Sequence, residues 1–389
     1  MRTGPGASVA PFLFCSLVAC ALGSAPAEAA TDPVAANRAY FPDRLWMPQS
    51  AADAALAGAG RATDSLSSWF VNPALVAGYA DSGAARARIT GFAADARRND
   101  IAGNSVNFSD KSPFLSFGET GVAVPLGAFV VLLGADQPGF QREETAFIDT
   151  TTGGAPLFRS NSVRAYWQRG TLGAARRFGA WQAGVAVHAY RVQEFYQTLL
   201  EPGAIQVGAI PGELDVEGIG VGGVAGLAGR PSSWLQLGAA YRLGAAVDLE
   251  DEDGGAAGTD EVPDGFTLGA SVGEGLGGNL HLSASWTGER RATLPDTLGR
   301  GEEVSPARWE TGVGYAYRSR VAPWEFRAGF GWSPYPTDGG SRSNRFGVGL
   351  GYDLGGLRAR ASYANESFRT ADGDKSSRGL LLLTVDFDL

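Results

Sequence analysis

LAGAGRATDSLSSWFVNPALVAGYA, residues Leu56 to Ala80, stands alone between a leader-like N-terminus and a long series of strand-like segments. Small residues crowd its first half (Ala57, Gly58, Ala59, Gly60, Ala62), so its backbone can pack closely against a curved or confining surface. Bulk then arrives at Trp69 and Phe70. Asn72-Pro73 follows, a turn-initiating pair whose proline biases Asn72 away from helix. This segment is expected to be a plug, with the rest of the chain wrapped around it as a barrel.

From Gly83 onward the sequence has period two, in segments bounded by Gly, Pro, Asn and Asp. Trp309, Thr311, Val313, Tyr315 and Tyr317 share one strand face, while Arg308, Glu310, Gly312, Gly314, Ala316 and Arg318 share the other. Trp324, Phe326, Ala328, Phe330 and Trp332 alternate in the same way with Glu325, Arg327, Gly329, Gly331 and Ser333. Phe346 to Leu354 repeats the pattern against Arg345, three glycines and Asp353. Aromatic residues bracket these strands at both ends, as they do where a lipid-facing strand meets headgroups. An arginine turned to lipid at mid-membrane would cost about 2–4 kcal/mol, so Arg327 and Glu310 are expected to face a lumen. The fold class is therefore an all-β transmembrane antiparallel β-barrel with an N-terminal hatch inside the lumen.

Strands are expected near 84–94, 115–124, 127–137, 161–177, 181–195, 214–229, 234–248, 264–274, 279–289, 308–319, 324–333, 344–354, 357–368 and 379–389, about 14 in all. Connections after even-numbered strands are tight, such as Pro125-Leu126 and Gly355-Gly356. Those after odd-numbered strands are long, such as Asp95 to Phe114, Pro138 to Ser160 and Tyr196 to Glu213. Short turns at one end and long loops at the other put both termini in the periplasm, in a multi-pass protein of the bacterial outer membrane. Leu381, Leu383, Val385, Phe387 and Leu389 alternate to the C-terminus, resembling the signal by which barrel-assembly machinery recognises outer-membrane proteins.

Residues 1–29 are expected to be a signal peptide: Arg2, an apolar core over Val9–Ala21 too short to span a bilayer, and Ala27-Glu28-Ala29 before cleavage near Ala29 or Ala30. The alternative is acylation at Cys20 after Leu17-Val18-Ala19. Both cysteines lie in this segment, so ordinary cleavage leaves no thiol. A polar and aromatic lead-in (Tyr40, Phe41, Trp46) precedes an alanine-rich run, Ala51 to Leu56, suited to a helical turn or two. No energy-coupling box is recognisable. A net charge of −9 with dispersed arginines argues against nucleic acid.

Little catalytic chemistry is offered. His188 and His281 are the two histidines, with no metal-ligand spacing and no Gly-x-Ser-x-Gly elbow, so no catalytic residue, metal or cofactor is expected. The acidic run Glu250 to Asp253, with Asp260, Glu261 and Asp264, has oxygen ligands for a hard cation but no ordered spacing; a solvated loop explains it better. In the loop Thr198 to Leu214, Leu199, Leu200, Ile205 and Val207 form either a surface site for a greasy ligand or a lid packed over the barrel mouth. Arg308, Glu310, Arg318, Glu325, Arg327, Arg345, Asp353, Arg358, Arg360 and Glu366 are expected to form a paired lattice in the lumen, with room beside them at the inward glycines. Some of these arginines also suit a substrate carboxylate.

Gly58-x-Gly60, Asp64-Ser65, Ser68, the Trp69-Phe70 pair and Asn72-Pro73-Ala74 together resemble the hatch signature of the FadL outer-membrane transport family. Leu75-Val76 stands where that family usually has Gly-Leu. The resemblance implies a signal peptide at 1–29, a hatch at 30–83 and a barrel at 84–389. It also implies passive uptake of hydrophobic small molecules, such as long-chain fatty acids or hydrocarbons, by a monomer in contact with outer-membrane lipid. Ligand would be captured by external loops, held in a pocket above the hatch, and released by hatch movement or through an opening in the wall. Barrels of the PorV type, which serve secretion and bind proteins, carry a similar signature. A hydrophilic porin is the remaining alternative.

Overall fold

The computed structural model describes residues 48–100, 108–109, 114–149, 157–200, 212–273, 278–293, 302–305, 307–319, 321–334, 342–369 and 375–389. The leader, with Cys15 and Cys20, and the lead-in at Tyr40, Phe41 and Trp46 lie outside these residues. Fourteen antiparallel strands make the wall. They are β1 (Arg86–Asp100), β2 (Phe108–Ser109, Phe114–Phe117 and Thr120–Leu126), β3 (Phe129–Asp149), β4 (Leu157–Phe178) and β5 (Trp181–Leu200). Then come β6 (Gly212–Ser232), β7 (Leu235–Leu243 and Ala245–Asp251), β8 (Ala256–Val262 and Gly265–Val272), β9 (Gly278–Thr287 and Arg290–Thr293) and β10 (Glu302–Ser305 and Arg308–Arg318). The last four are β11 (Trp324–Pro334), β12 (Arg342–Asp353), β13 (Leu357–Arg369) and β14 (Lys375–Asp388). Neighbours in sequence pair, and β14 closes the cylinder on β1 from Arg86↔Asp388 to Asp100↔Lys375, which removes both sheet edges.

The alternation sorts side chains as the sequence requires. Trp309, Tyr317, Trp324, Trp332, Phe346 and Leu350 are exposed on the outer face, whereas Arg308, Arg327 and Arg345 are buried inside. On β5 the outward residues from Trp181 through Val185 and Val187 end at Arg191, which pairs in the open with Glu217 at 2.7 Å. Those ten residue steps, at about 3.3 Å each and tilted by about 40°, give an apolar band of about 25 Å.

The strands run further toward the long-loop end than alternation suggests. β3 continues past Pro138 to Asp149 and β4 begins at Leu157, so much of the segment expected as a 138–160 loop is wall. β5 likewise continues to Leu200, and β6 begins at Gly212. Beyond the bilayer a strand has water on its outer face, so polar runs such as Gln141 to Glu144 keep the ladder while losing the period. The acidic run forms a tight turn between β7 and β8, in which the Asp251 carboxylate accepts the amides of Asp253 (3.1 Å) and Gly255 (2.6 Å). Asp260 turns into the lumen instead and receives Arg290 at 2.6 Å. Among the described residues no group of three potential metal ligands is assembled.

Residues 48–83 lie inside the cylinder. Helix α1 (Ala51–Ala55) is capped by Ser50, whose hydroxyl accepts the Asp53 amide at 3.1 Å. A 3₁₀ helix (Pro73–Ser82) begins behind Asn72, whose side chain accepts the Ala74 amide at 3.2 Å while Pro73 takes the first helical position. Left-handed Gly83 ends it and hands the chain to β1.

Candidate functional site

The inward glycines are occupied. Alternation alone predicts room beside the lumen charges, but the hatch backbone fills that room. Around the wall, Gly347 (β12) faces the Ala54 and Ala55 carbonyls, Gly329 (β11) the Leu56 backbone and Gly312 (β10) Ala59. Gly238 (β7) faces the Ala62 carbonyl, Gly226 (β6) the Asn72 side chain, and Gly184 (β5) the Pro73–Ala74 peptide. A Cβ at Gly184 would stand 2.6 Å from the Ala74 nitrogen. The small residues of the hatch and the glycines of the wall are therefore two halves of one interface.

Polar links fix its position. Asn72 Nδ2 donates to the carbonyls of Ala62 (2.9 Å) and Leu227 on β6 (3.3 Å). Asp64 pairs with Arg327, which also holds Glu325. Arg61 pairs with Asp53 at 2.9 Å. Gly58 adopts a left-handed conformation, and a Cβ at Gly60 would meet Leu56 Cδ1 at 2.7 Å, so both positions need glycine. Burial pushes the Asp64 carboxyl up, but the Arg327 guanidinium, helped by His281 and the Leu66 N–H, outweighs it and holds Asp64 well below the usual carboxylate range. A depressed folded-state pKa means the link contributes fully above the ordinary aspartate value of about 4 and is lost as pH falls below it. Protease protection of the hatch should therefore persist from pH 8 to about 5, fall in stronger acid, and drop at neutral pH in Asp64→Asn. A transition near neutrality would assign the hold to another group.

The aromatic pair sits at a second, unforeseen cluster. Trp69 is fully buried; its Nε1 donates to the Ser65 carbonyl at 2.9 Å, and the Arg88 guanidinium lies 4.3 Å from its ring centre. Arg88, on β1 and fully buried, reaches Glu119 at 2.6 Å and Asp386 on β14 at 2.7 Å. Glu119 also accepts the Ser68 hydroxyl (3.0 Å) and the Trp69 amide (2.9 Å). These residues obey the same alternation as the expected lattice, and Arg86-x-Arg88 beside Asp386-x-Asp388 is the signal that could have revealed them.

Of the lattice itself, Arg345 bridges Glu310 (2.7 Å) and Glu366 (3.2 Å), Arg308 lies 3.4 Å from Glu310, and Arg360 pairs with Asp386. Arg318 and Arg358 share Asp353 (2.7 and 3.0 Å) at the short-turn mouth, where the Arg318 side chain is 67% exposed, so that trio is a rim and not an interior lattice. Leu199 and Leu200 end β5 opposite Ser160 and Arg159. Their side chains, and Ile205 and Val207, lie outside the described residues.

Glu119 stands where β2 breaks. Below the break β2 and β3 pair from Leu126↔Phe129 to Thr120↔Ala135. Beyond it Phe114–Phe117 pairs with β1, while β3 bulges at Asp136/Gly139 and continues on β4; among the described residues no ladder rejoins β2 to β3. Among the described residues no backbone hydrogen bonds join the two strands there. Phe70 fills the space just beneath, its ring tip against Gly134 and Gly121, and Arg169 grips Asp136 at 2.6 Å at the bulge.

Between the hatch and the long-loop half lies a chamber with about 730 Å³ free of atoms, open space included, of which about 80 Å³ admits the centre of a water molecule. Phe70 and Val71 of the hatch, Pro138 at the β3 bulge, Arg169, His188, Arg242 and Arg308 border it. His188 is held through Nδ1 by Thr171 (2.9 Å), and His281 meets Thr63 of the hatch at 3.3 Å, so both histidines brace structure. On the turn side a wider vestibule of about 720 Å³ on the same measure runs past Asp64, Arg230 and Arg327.

No protein-family model matches this sequence, and no curated protein sequence matches it. Solved structures do match in three dimensions. The Ralstonia pickettii toluene transporter TbuX aligns with TM-score 0.63 at 16% identity, covering 89% of this chain and 99% of its own. A Pseudomonas aeruginosa FadL homologue aligns with TM-score 0.62 at 16% identity, covering 88% and 99%. The CymD monoaromatic hydrocarbon channel aligns with TM-score 0.60 at 13% identity, covering 88% and 98%. Fourteen closed strands around an N-terminal hatch thus give this chain the fold of the FadL-type outer-membrane channels.

Proposed function

We propose that this chain is an outer-membrane channel for passive uptake of small hydrophobic molecules, with both termini in the periplasm. Ligand enters from the long-loop end, rests in the chamber above the hatch, and leaves sideways through the opening between β2 and β3. The observation that carries this reading is the ladder break itself. A pore for hydrophilic solutes gains nothing from a hole facing lipid, whereas an apolar solute is stabilised on passing into the bilayer by about 25 cal/mol per Å² of surface removed from water. The hatch supports it too, since a lumen filled with paired charge and backbone offers an apolar molecule no straight path. The folds of the toluene transporter TbuX and the hydrocarbon channel CymD agree with this reading.

The test is uptake of radiolabelled toluene by cells carrying the chain in their outer membrane. Uptake should exceed that of cells lacking the chain several-fold, and Pro138→Trp, which fills the opening, should return it to the control level. Planar-bilayer conductance should stay low in both proteins. Uptake unaffected by Pro138→Trp would rule out the sideways route, and a large steady conductance would favour a hydrophilic pore.

A further inference from the structure

Arg176 faces lipid. It is exposed on the outer face of β4 with Leu172 and Phe178, beside exposed Phe129 on β3 and Trp181 on β5. In register it lies opposite Phe129 on one side and Ala183 on the other. Trp181 marks the turn-side edge of the apolar band, and Ala183 is the next outward position further in. Two residue steps of about 3.3 Å each, tilted by about 40°, set the Arg176 backbone about 5 Å inside that edge.

The guanidinium lies over the rings of Phe129 and Phe178, 5.2 and 5.0 Å from their centres. Two rings hold the group in place but do not neutralise it. Among the described residues no carboxylate pairs with Arg176. Arg177 beside it takes Asp81, and Arg191 and Glu217 satisfy each other at the far edge of the band. A cation at a lipid boundary requires a counter-charge, and the anions fixed at that depth are headgroup phosphates. The planar fork of arginine matches two phosphate oxygens at once. The outward positions paired around it, Phe129, Val131, Ala183 and Val185, carry no acid to receive a headgroup ammonium. Ala174 and Ala183 keep the adjoining surface low, with exposed Leu227 beyond Ala183, so an acyl chain has room to lie alongside.

We propose that Arg176, held between Phe129 and Phe178, binds the phosphate of an anionic glycerophospholipid in the periplasmic leaflet. The site goes beyond the uptake reading and takes from it only the orientation, with the short turns in the periplasm.

The full chain, purified in detergent, is titrated at pH 7 with dioleoyl phosphatidylglycerol or dioleoyl phosphatidylethanolamine, and native mass spectrometry reads the dissociation constant of the first bound lipid. Phosphatidylglycerol should bind about tenfold tighter than phosphatidylethanolamine. Arg176→Gln should bring the two lipids level, while Arg318→Gln, which removes a rim charge already paired with Asp353, should change neither. Equal binding in the unaltered chain overturns the anionic requirement. A preference that survives Arg176→Gln, or is lost equally in Arg318→Gln, overturns the site. Should Arg176→Gln fail to fold, Phe178→Leu, which frees the guanidinium from one ring, should weaken phosphatidylglycerol alone, and an unchanged constant there overturns the site as well. The leaflet is tested on intact cells with Ser233→Cys, in the exposed turn between β6 and β7. A bulky membrane-impermeant maleimide should label it only after the cells are opened, and labelling beforehand overturns the periplasmic assignment. Toluene uptake should be the same with Arg176→Gln, so loss of the lipid site leaves the uptake reading standing, and the reverse.

Discussion

Replacing Arg88 by methionine should lower barrel stability by about 3–5 kcal/mol, the range for removing one partner of a buried ion cluster. Methionine leaves Glu119 and Asp386 facing each other without their shared cation, at the seam where β1 closes on β14. It also removes the guanidinium from the Trp69 ring, a contact of about 1–2 kcal/mol in a desolvated place. The seam and the hatch should therefore loosen together. Urea unfolding in lipid vesicles measures the first effect, and protease cleavage within 48–83 the second. Arg88→Met combined with Glu119→Gln should recover much of the loss, because Asp386 keeps Arg360 and no buried charge is then stranded. Failure of the double variant to recover would mean that packing of the arginine stem on Trp69, and not charge, holds the seam.

The second large effect is expected from one methyl-bearing side chain. Gly347→Val places a Cβ on the Ala54 carbonyl and 2.8 Å from that of Ala55, and both partners are backbone. Neither can rotate away, so the hatch must lift from β12. Planar-bilayer conductance should rise at least tenfold over the unaltered protein, whose lumen is filled by residues 48–83. Gly91→Val is the control, since nothing lies within 4 Å of a Cβ there. Unchanged conductance in Gly347→Val would show that the hatch is not seated on the wall glycines.

Both experiments act on contacts that no local pattern announces. Alternation placed Arg308, Glu310, Glu325, Arg327, Arg345 and Arg360 inside because lipid rejects charge at every wall position alike. It could not pair them, since pairing depends on which strands become neighbours and at what register. Nothing in the alternation distinguishes Arg88 from any other inward residue, because its value lies in Glu119 and Asp386, 31 and 298 residues away. The chamber was equally hidden: each strand contributes three residues at most, and Arg242 and Arg169 border one space only through the barrel's curvature.

The sequence by itself determined the barrel, its fourteen strands and the segment that plugs it, because a two-residue period and a glycine-rich, aromatic turn are local consequences of lipid outside and confinement inside. Tertiary structure alone decided that the wall glycines seat the hatch backbone, that the described β2–β3 ladder stops beside Phe70, and that Arg61, Arg169, Arg242 and Arg308 border one chamber. Each of these depends on backbone brought together across the cylinder, where closure and register, not composition, set the distance between groups.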